Sequence, residues 1–423
     1  MKSAVDATAQ RRSLGAKGRA TRAAILEAAH EVFKAHGYYG SSVSEITRRC
    51  GVSIGTFYQY FRNKEQVFLE LHDVVTSRFL ARSSAFSGGE GGFLQSLRQG
   101  VRLLCEHMRD NFAFHRILGE SELIDGVTIS YYEAVARLYR DLFRNAFQAG
   151  EARPLDPNLL AYGLTGICYF HAMDWGPDAE VFEQDRLVEM ITDFVWKGIS
   201  GSAPWDRTPD WDLLSMPEPR ELRSQGGRPL TRGQRTRRAI FQAAEKILGL
   251  HGINGANISD ITREAGVAQG TFYVHFKSKA DLVEGLVKYL NHQMRVELQR
   301  YASVMKDRRD VERVGILAFF RFLKRHREIY RIVPECEMIS RPVTLWYYNK
   351  TAEGYVRGLR RGMERGQIRD LPPVFLARTL MGLTHFAGIK WVVWNPAGST
   401  ETHRRMLEDL LLFALYGVGV GRG

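Results

Sequence analysis

The sequence predicts an all-α chain made of two tandem copies of one unit. Three observations carry that prediction. A motif occurs twice, as GVSIGTFYQYFRNK at residues 51–64 and as GVAQGTFYVHFKSK at residues 266–279. Around it, Thr21 to Glu70 aligns without gaps onto Thr236 to Gly285 at an offset of 236 − 21 = 215, with about 40% of the pairs identical, which marks an internal duplication. Finally, apolar residues recur at helical spacing along almost the whole chain, and no run of alternating β-branched residues interrupts them.

The elements follow in order. Residues 1–22 are basic and lack the apolar stretch of a secretory signal. Ile25, Ala28, Ala29, Val32 and Phe33 form the apolar stripe of a first helix, and Ile240, Ala243, Ala244, Ile247 and Leu248 repeat it. Gly37 and Gly252 stand where a left-handed C-cap ends such a helix. Ser42 to Glu45 reads as a capping box opening a second helix, with Asn257 to Asp260 its counterpart. That helix ends near Cys50, Gly51-Val52 turns the chain, and a short helix runs from about Ser53 to Phe61. Asn63 and Ser278 are suitable N-caps for a fourth helix.

Beyond residue 70 the halves still correspond. Arg116-Ile117, Glu120 and Glu122 match Arg331-Ile332, Glu335 and Glu337, while Tyr131-Tyr132 match Tyr347-Tyr348. Gly150, Arg153, Gly166 and Trp175 match Gly366, Arg369, Gly382 and Trp391. Helices are expected near 93–109, 127–149, 155–173 and 180–198, with counterparts in the second half. A glycine-rich loop at 87–92 belongs to the first repeat alone. Residues 201–228, with four prolines and several glycines, read as a linker able to span ~90 Å when extended. The expected domains are 1–70, a first reading head; 71–200, a first helical effector domain; 201–228, the linker; 229–285, a second head; and 286–423, a second effector domain.

The chain has 423 residues and a formal net charge of +12, which favours a polyanionic partner. Cys50, Cys105, Cys168 and Cys336 form no zinc-ligand pattern and read as reduced, buried thiols in a cytoplasmic protein, a redox-sensing thiol being the sharper alternative. The most apolar stretch, Leu159 to Trp175, is too short for a membrane span and contains His171 and Asp174. No metal or cofactor is expected. An enzyme finds no support, because the sequence has no glycine-rich phosphate loop and no nucleophile with a base at a known spacing.

Reading DNA takes a helix that enters the major groove, flanked by donors that grip phosphates and fix its register. Gly55 lets the backbone approach DNA, Thr56 and Tyr58 offer hydroxyls, Phe57 and Phe61 face the core, and Lys64 opens a helix pointed at phosphate. Gly270, Thr271, Tyr273, Phe272, Phe276 and Lys279 repeat these roles. Ser42, Asn257, Arg22 and Arg237 complete the candidate contacts. The base-facing positions differ: Ser53, Ile54, Gln59 and Tyr60 in one head, Ala268, Gln269, Val274 and His275 in the other. A glutamine suits an adenine edge, while isoleucine and valine suit a thymine methyl, so an imperfect palindrome is expected as operator.

The string G-V-x-x-G-T-F-Y-x-x-F-x-x-K, preceded by T-R-x-x-I and a helix ending in H-G, closely resembles the TetR/AcrR transcriptional regulators in about 50 residues of each half. The resemblance implies a three-helix DNA-binding domain, a helical effector domain, dimerisation through the last two long helices, and repression relieved by a small molecule. Members of that family are normally one unit that homodimerises. Two units in one chain point to an intramolecular pseudo-dimer, with further self-association left open.

For the effector the sequence says less. The expected ligand is small and apolar. Candidate contacts are His115, Glu120, Tyr131, Tyr132, His171, Glu335, Trp346, Tyr347 and His385. Each has a plainer reading, the aromatics and histidines as core residues and the glutamates as partners of Arg116 and Arg331. The competing function is a DNA-binding architectural or co-regulatory protein that takes no effector.

Overall fold

The structure, a computed structural model, describes residues 15–84, 91–112, 114–115, 118, 126–206, 231–395 and 400–420. Among these residues the chain is helical, with two isolated β-bridges and no strand. It falls into two compact units, residues 1–79 with 113–131 and residues 80–112 with 132–423.

The first unit is built on α1 (Ala16–His36), α2 (Val43–Cys50), α3 (Ile54–Tyr60) and the start of α4 (Lys64–Ser84). The predicted stripe of α1, Ile25 to Phe33, is buried. Ile46, Phe57, Phe61 and Phe68 of the same unit are all at most 1% exposed, and Phe33 meets Phe68 edge-on. Gly37 ends α1 with φ 70° and ψ 176°, a positive φ as expected but with extended ψ rather than a left-handed turn. Gln66 N–H donates to Asn63, the N-cap predicted for α4. Phe114 stacks on Phe68 at 5.8 Å between ring centroids and meets Tyr131 edge-on.

The second unit contains α5 (Gly92–Asp110), α6 (Val127–Gln148) from Tyr132 on, α7 (Pro157–Ala172) and α8 (Gln184–Lys197). The second repeat supplies α9 (Arg232–Gly255), α10 (Ile258–Glu264), α11 (Gln269–His275), α12 (Lys279–Ala302), α13 (Arg308–Arg325), α14 (Ile329–Glu364), α15 (Pro373–Gly388), a π-turn (Ile389–Val393) and α16 (Thr400–Tyr416). Two helices are broken inside. Gly252, at φ 68°, interrupts α9, and Ser340, just before Pro342, interrupts α14.

Helices α7 and α15 are equivalent in the duplication, 157 + 216 = 373 and 172 + 216 = 388, and they pack directly on each other. Both are apolar on most of their surface and buried, as a helix hydrophobic all round must be. Equivalent segments also bond reciprocally. Ile199 N–H donates to the Ala414 carbonyl at 3.0 Å, and Val418 N–H donates to the Val195 carbonyl at 2.9 Å. Ser200 to Leu415 is mirrored by Gly419 to Trp196, and Arg153 to Val418 by Arg369 to Ile199. The two β-bridges, Ala152 with Gly419 and Ser200 with Ile368, form the same kind of pair. Phe194 and Phe413, equivalent to each other, meet edge to face at 5.8 Å. Such self-complementary pairing is the signature of an isologous, two-fold contact, here made within one chain.

Part of the expected linker belongs to this packed region. Gly201 and Ala203 donate to the carbonyls of Gln367 and Gly366, and Arg309 clasps the carbonyls of Ala203 and Pro204. Trp205 lies against the Arg309 guanidinium and donates to Asp310. The sequence pattern hid this because the backbone of 201–206 is held by partners more than 100 residues away. Residues 207–228 of the linker, residues 1–14 of the basic arm, the greater part of the 87–92 loop, and Arg116, Ile117, Glu120 and Glu122 lie outside the described residues.

Candidate nucleic-acid interface and effector cavity

Both heads make the same turn. Gly51 at φ 73° and Gly266 at φ 65° adopt the left-handed conformation that glycine takes without strain. Val52 N–H then closes onto Thr47, and Val267 N–H onto Thr262. The Ser42 capping box is complete, since Ser42 Oγ accepts from Glu45 N–H and Glu45 accepts from Ser42 N–H at 2.9 Å. These bonds hold the Glu45 carboxyl below its usual range. The counterpart Asn257 makes no capping bond, so the predicted box is absent from the second head. Its amide instead points along the helix to Asp260 at 3.5 Å.

The short helices α3 and α11 each bury one phenylalanine, Phe57 or Phe272, and present the rest outward. Ile54 is 50% exposed, Tyr58 and Tyr273 55%, and Val274 79%. Ser53, Gln59, Ala268 and Gln269 are exposed, and Tyr60 and His275 half-exposed. Ser53 Oγ is engaged, accepting from Thr56 N–H at 3.0 Å and pairing with its hydroxyl, whereas Ala268 has no side chain to do so. A Cβ at Gly270 would meet nothing, and one at Gly55 only Ser53 Oγ at 3.7 Å. The fold itself therefore does not require glycine at either position. A helical glycine is about 1 kcal/mol worse than alanine, and both positions leave a spot free of side chain on the exposed face of the helix.

The lysines and arginines assigned to phosphate are used differently. Lys64 Nζ donates to the carbonyls of Tyr38 and Ser41 at 2.5 and 2.7 Å and lies over the Tyr38 ring. Lys279 does the same with Ile253 and Ala256 at 2.8 and 3.0 Å. Both ammonium groups turn inward and staple the start of the fourth helix to the end of the first. Arg22 pairs with Glu70 and covers Phe61 at 4.9 Å. Arg237 covers Phe276 at 4.9 Å, but Gly285 stands where Glu70 was and Phe241 occupies the space beside it.

The sequence profile of bacterial regulatory proteins of the tetR family matches residues 25–71 and again 240–286, the two heads just described. YhgD of Bacillus subtilis, an uncharacterised HTH-type transcriptional regulator, is 20% identical over 185 residues, covering 96% of its own length but 42% of this chain. The HTH-type transcriptional activator FasR of Mycolicibacterium smegmatis is 25% identical over 186 residues, covering 83% of itself and 42% of this chain. A solved FadR from Bacillus subtilis, in complex with stearoyl-CoA, gives a TM-score of 0.38 at 19% identity, covering 98% of itself and 43% of this chain. The chain thus carries the DNA-binding segment of the tetR family twice. It is accordingly a DNA-binding transcriptional regulator. No helix among the described residues is long and apolar enough to cross a membrane.

In the second repeat, α12 to α15 line a half-open cavity of about 630 Å³, within the usual range of ligand sites, ~300–1,000 Å³. Met294, Ile316, Phe319, Phe322, Val333 and Tyr347 give it apolar walls. One end is polar. Arg308 pairs with the buried Glu312, which also accepts from Tyr355. Arg308 Nε is buried without a partner, and Arg295, Arg300 and Arg357 also line the cavity. The sequence reading missed this cluster. Its trace was Gly358 and Gly362, whose missing side chains leave room for Arg308 to lie across α14.

Of the predicted effector contacts, Tyr347 and His385 line this cavity, with the His385 imidazole held neutral by burial, its pKa pushed down to about 3. Trp346 is on α14 but is not among the lining residues. His115 and Tyr131 bond each other at 3.2 Å in the core of the first unit. Tyr132 packs edge-on against Phe386. His171 donates to or accepts from Thr379 at 3.0 Å beside a separate, smaller cavity.

Glu335 does not face the cavity. Its carboxylate accepts from Ile253 N–H at 2.5 Å and from Arg331 at 2.9 Å. Arg331 in turn donates to the Gly249 carbonyl at 2.7 Å. Glycine is favoured at 252 by its φ of 68°, and a Cβ there would also crowd the Arg331 guanidinium at 2.6 Å. The first turns of α14 thus present Ile329, Tyr330, Val333 and Pro334 to the cavity, and Arg331 and Glu335 to the second head.

Proposed function

We propose that the chain is a ligand-responsive regulator that grips one operator with both heads as an intramolecular pseudo-dimer, and that the cavity of its second unit holds an apolar effector with an acidic group. The observation that carries this reading is the first part of α14, where cavity-lining residues alternate with the two that hold the second head. A ligand that displaces Tyr330 or Val333 would move Arg331 and Glu335 with them. Coupling of ~1–3 kcal/mol between effector and DNA is usual for such linkage. The positive lining around Arg308 favours an anion, and the apolar walls favour a long hydrocarbon body.

On DNA, the exposed Ile54 and Gln59 with the half-exposed Tyr60 would read one half-site, and Ala268, Gln269, Val274 and His275 the other. Ser42, Thr56, Tyr58, Asn257, Thr271 and Tyr273 would position the heads on phosphates. Because the reading positions differ and the surrounding turn does not, the half-sites should differ at two or three base pairs, each mismatch costing ~1–3 kcal/mol. Repression is the output implied by the resemblance, and activation, as named for FasR, the alternative that a reporter fused to the operator separates.

The test selects sites from random DNA and then measures affinity for the recovered site with palmitate, hexadecanol or hexadecylamine present. The reading expects palmitate to change DNA affinity by about tenfold, the equivalent of ~1.4 kcal/mol. If none of the three binds or moves DNA affinity, the architectural alternative gains.

A further inference from the structure

Cys105 on α5 and Cys168 on α7 bring their sulfurs to 3.4 Å of each other. Both are free thiols, and both line a cavity of about 270 Å³. That is room for several molecules the size of water, whose share of liquid volume is ~30 Å³. The cavity rim includes the exposed Asp174 and Val181, so it communicates with solvent. Arg109, one turn after Cys105, and Arg378 line it as well. None of this is used by the heads or by the larger cavity.

We propose that Cys105 and Cys168 are a dithiol modification site that a small peroxide entering this cavity converts to a disulfide. Cys105 sulfur attacks one peroxide oxygen and the O–O bond breaks. The departing hydroxide takes the Cys105 proton and leaves as water, so that sulfur is oxidised to a sulfenic acid and the peroxide is reduced. Cys168 sulfur then attacks Cys105 sulfur. The S–S bond forms, the S–O bond breaks, and the hydroxyl leaves with the Cys168 proton as a second water. Two thiols and one hydrogen peroxide give one disulfide and two waters.

The geometry needs little adjustment. Closing to a disulfide length of ~2.05 Å requires an approach of a little over 1 Å, within reach of side-chain rotation. Burial holds the Cys168 thiol well above its ordinary pKa, so the first attack on peroxide is given to Cys105. The bridge would pin α5 to α7, two residues from Gly166 at the contact with α15. Cys50 and Cys336 have no second thiol beside them among the described residues, so the bridge is specific to this pair.

The experiment treats the folded full chain with hydrogen peroxide near stoichiometry. It then counts free thiols after denaturation in maleimide, weighs the intact protein and maps its peptides without reductant. The expected result is loss of two thiols of four, a mass lower by about 2 Da, and one linked pair of peptides containing residues 105 and 168. Reductant should restore both thiols, and the thermal midpoint of the oxidised chain should rise by a few degrees. Cys168→Ser should remove the linkage and leave Cys105 gaining oxygen instead. Four thiols persisting under conditions that oxidise a free cysteine peptide would overturn the proposal. So would oxidation confined to Cys50 or Cys336, or oxygen added to Cys105 in the unsubstituted chain without a bridge.

Discussion

Gly166 and Gly382 face each other where α7 crosses α15, and each is the other's counterpart in the duplication. A Cβ on Gly166 would come within 2.2 Å of the Gly382 carbonyl oxygen, and one on Gly382 within 2.3 Å of that of Gly166. Equivalent residues touch only on a two-fold axis, so this pair marks the axis relating helices α7 and α15. Gly166→Leu should therefore force the helices apart. We expect a loss of about 1–3 kcal/mol, as for overpacking generally, read as a lower denaturant midpoint. An unchanged midpoint would mean the crossing is softer than the backbone contact implies.

The lysine staples give a second prediction. Lys64→Ala or Lys279→Ala leaves two backbone carbonyls without their donor, at a cost of about 1–3 kcal/mol. Amide exchange should quicken within the affected head, while the other head keeps its protection. If stability is untouched and the salt dependence of DNA binding falls by about one unit instead, the lysines act on phosphate as their position at a helix start first suggested.

Stability and function should part company at Gly55 and Gly270. Alanine meets no obstacle at either position and should stabilise the head by up to about 1 kcal/mol. The same methyl should weaken DNA binding, because it occupies the space left for the duplex. A thermal scan and a DNA titration on each variant check both halves. Stabilised variants that bind DNA as well as the parent would remove the argument for a close backbone approach.

His107 is 3% exposed. Burial, aided by the Arg82 charge, pushes its pKa down to about 4. The unfolded chain, with a histidine pKa of ~6.5, binds a proton over the interval where the folded chain does not. Its contribution is therefore fully present above ~6.5 and is lost as pH falls toward about 4, reaching roughly 3 kcal/mol there. Unfolding midpoints measured between pH 7.5 and 4.5 should fall, and His107→Gln should flatten the slope by one proton. An equal slope in the variant would assign the acid sensitivity elsewhere.

The heads were legible because a turn glycine, a buried phenylalanine pair and a repeated string constrain local structure within about ten residues. Gly166 and Gly382 were recognisable as equivalents, but not as each other's neighbours, because the sequence shows a duplication without showing its axis. The Lys64 staple was hidden for a related reason. Its carbonyl partners, Tyr38 and Ser41, lie 26 and 23 residues away, and nothing in their side chains announces them. Glu335 shows the plainer reading prevailing, since it pairs with Arg331, although its hold on Ile253 across 82 residues was invisible. The larger cavity arises from how four helices diverge, and no single helix pattern encodes it.

The central claim is that one chain does the work of a dimer. The direct measurement is the mass of the protein–DNA complex on a single selected operator, by native mass spectrometry or sedimentation, with footprints recorded on the same sample. The account predicts one chain per duplex and protection of both half-sites, with loss of one half-site's protection when α3 or α11 alone is disabled. Two chains per duplex, each protecting one half-site with a single head, would contradict it.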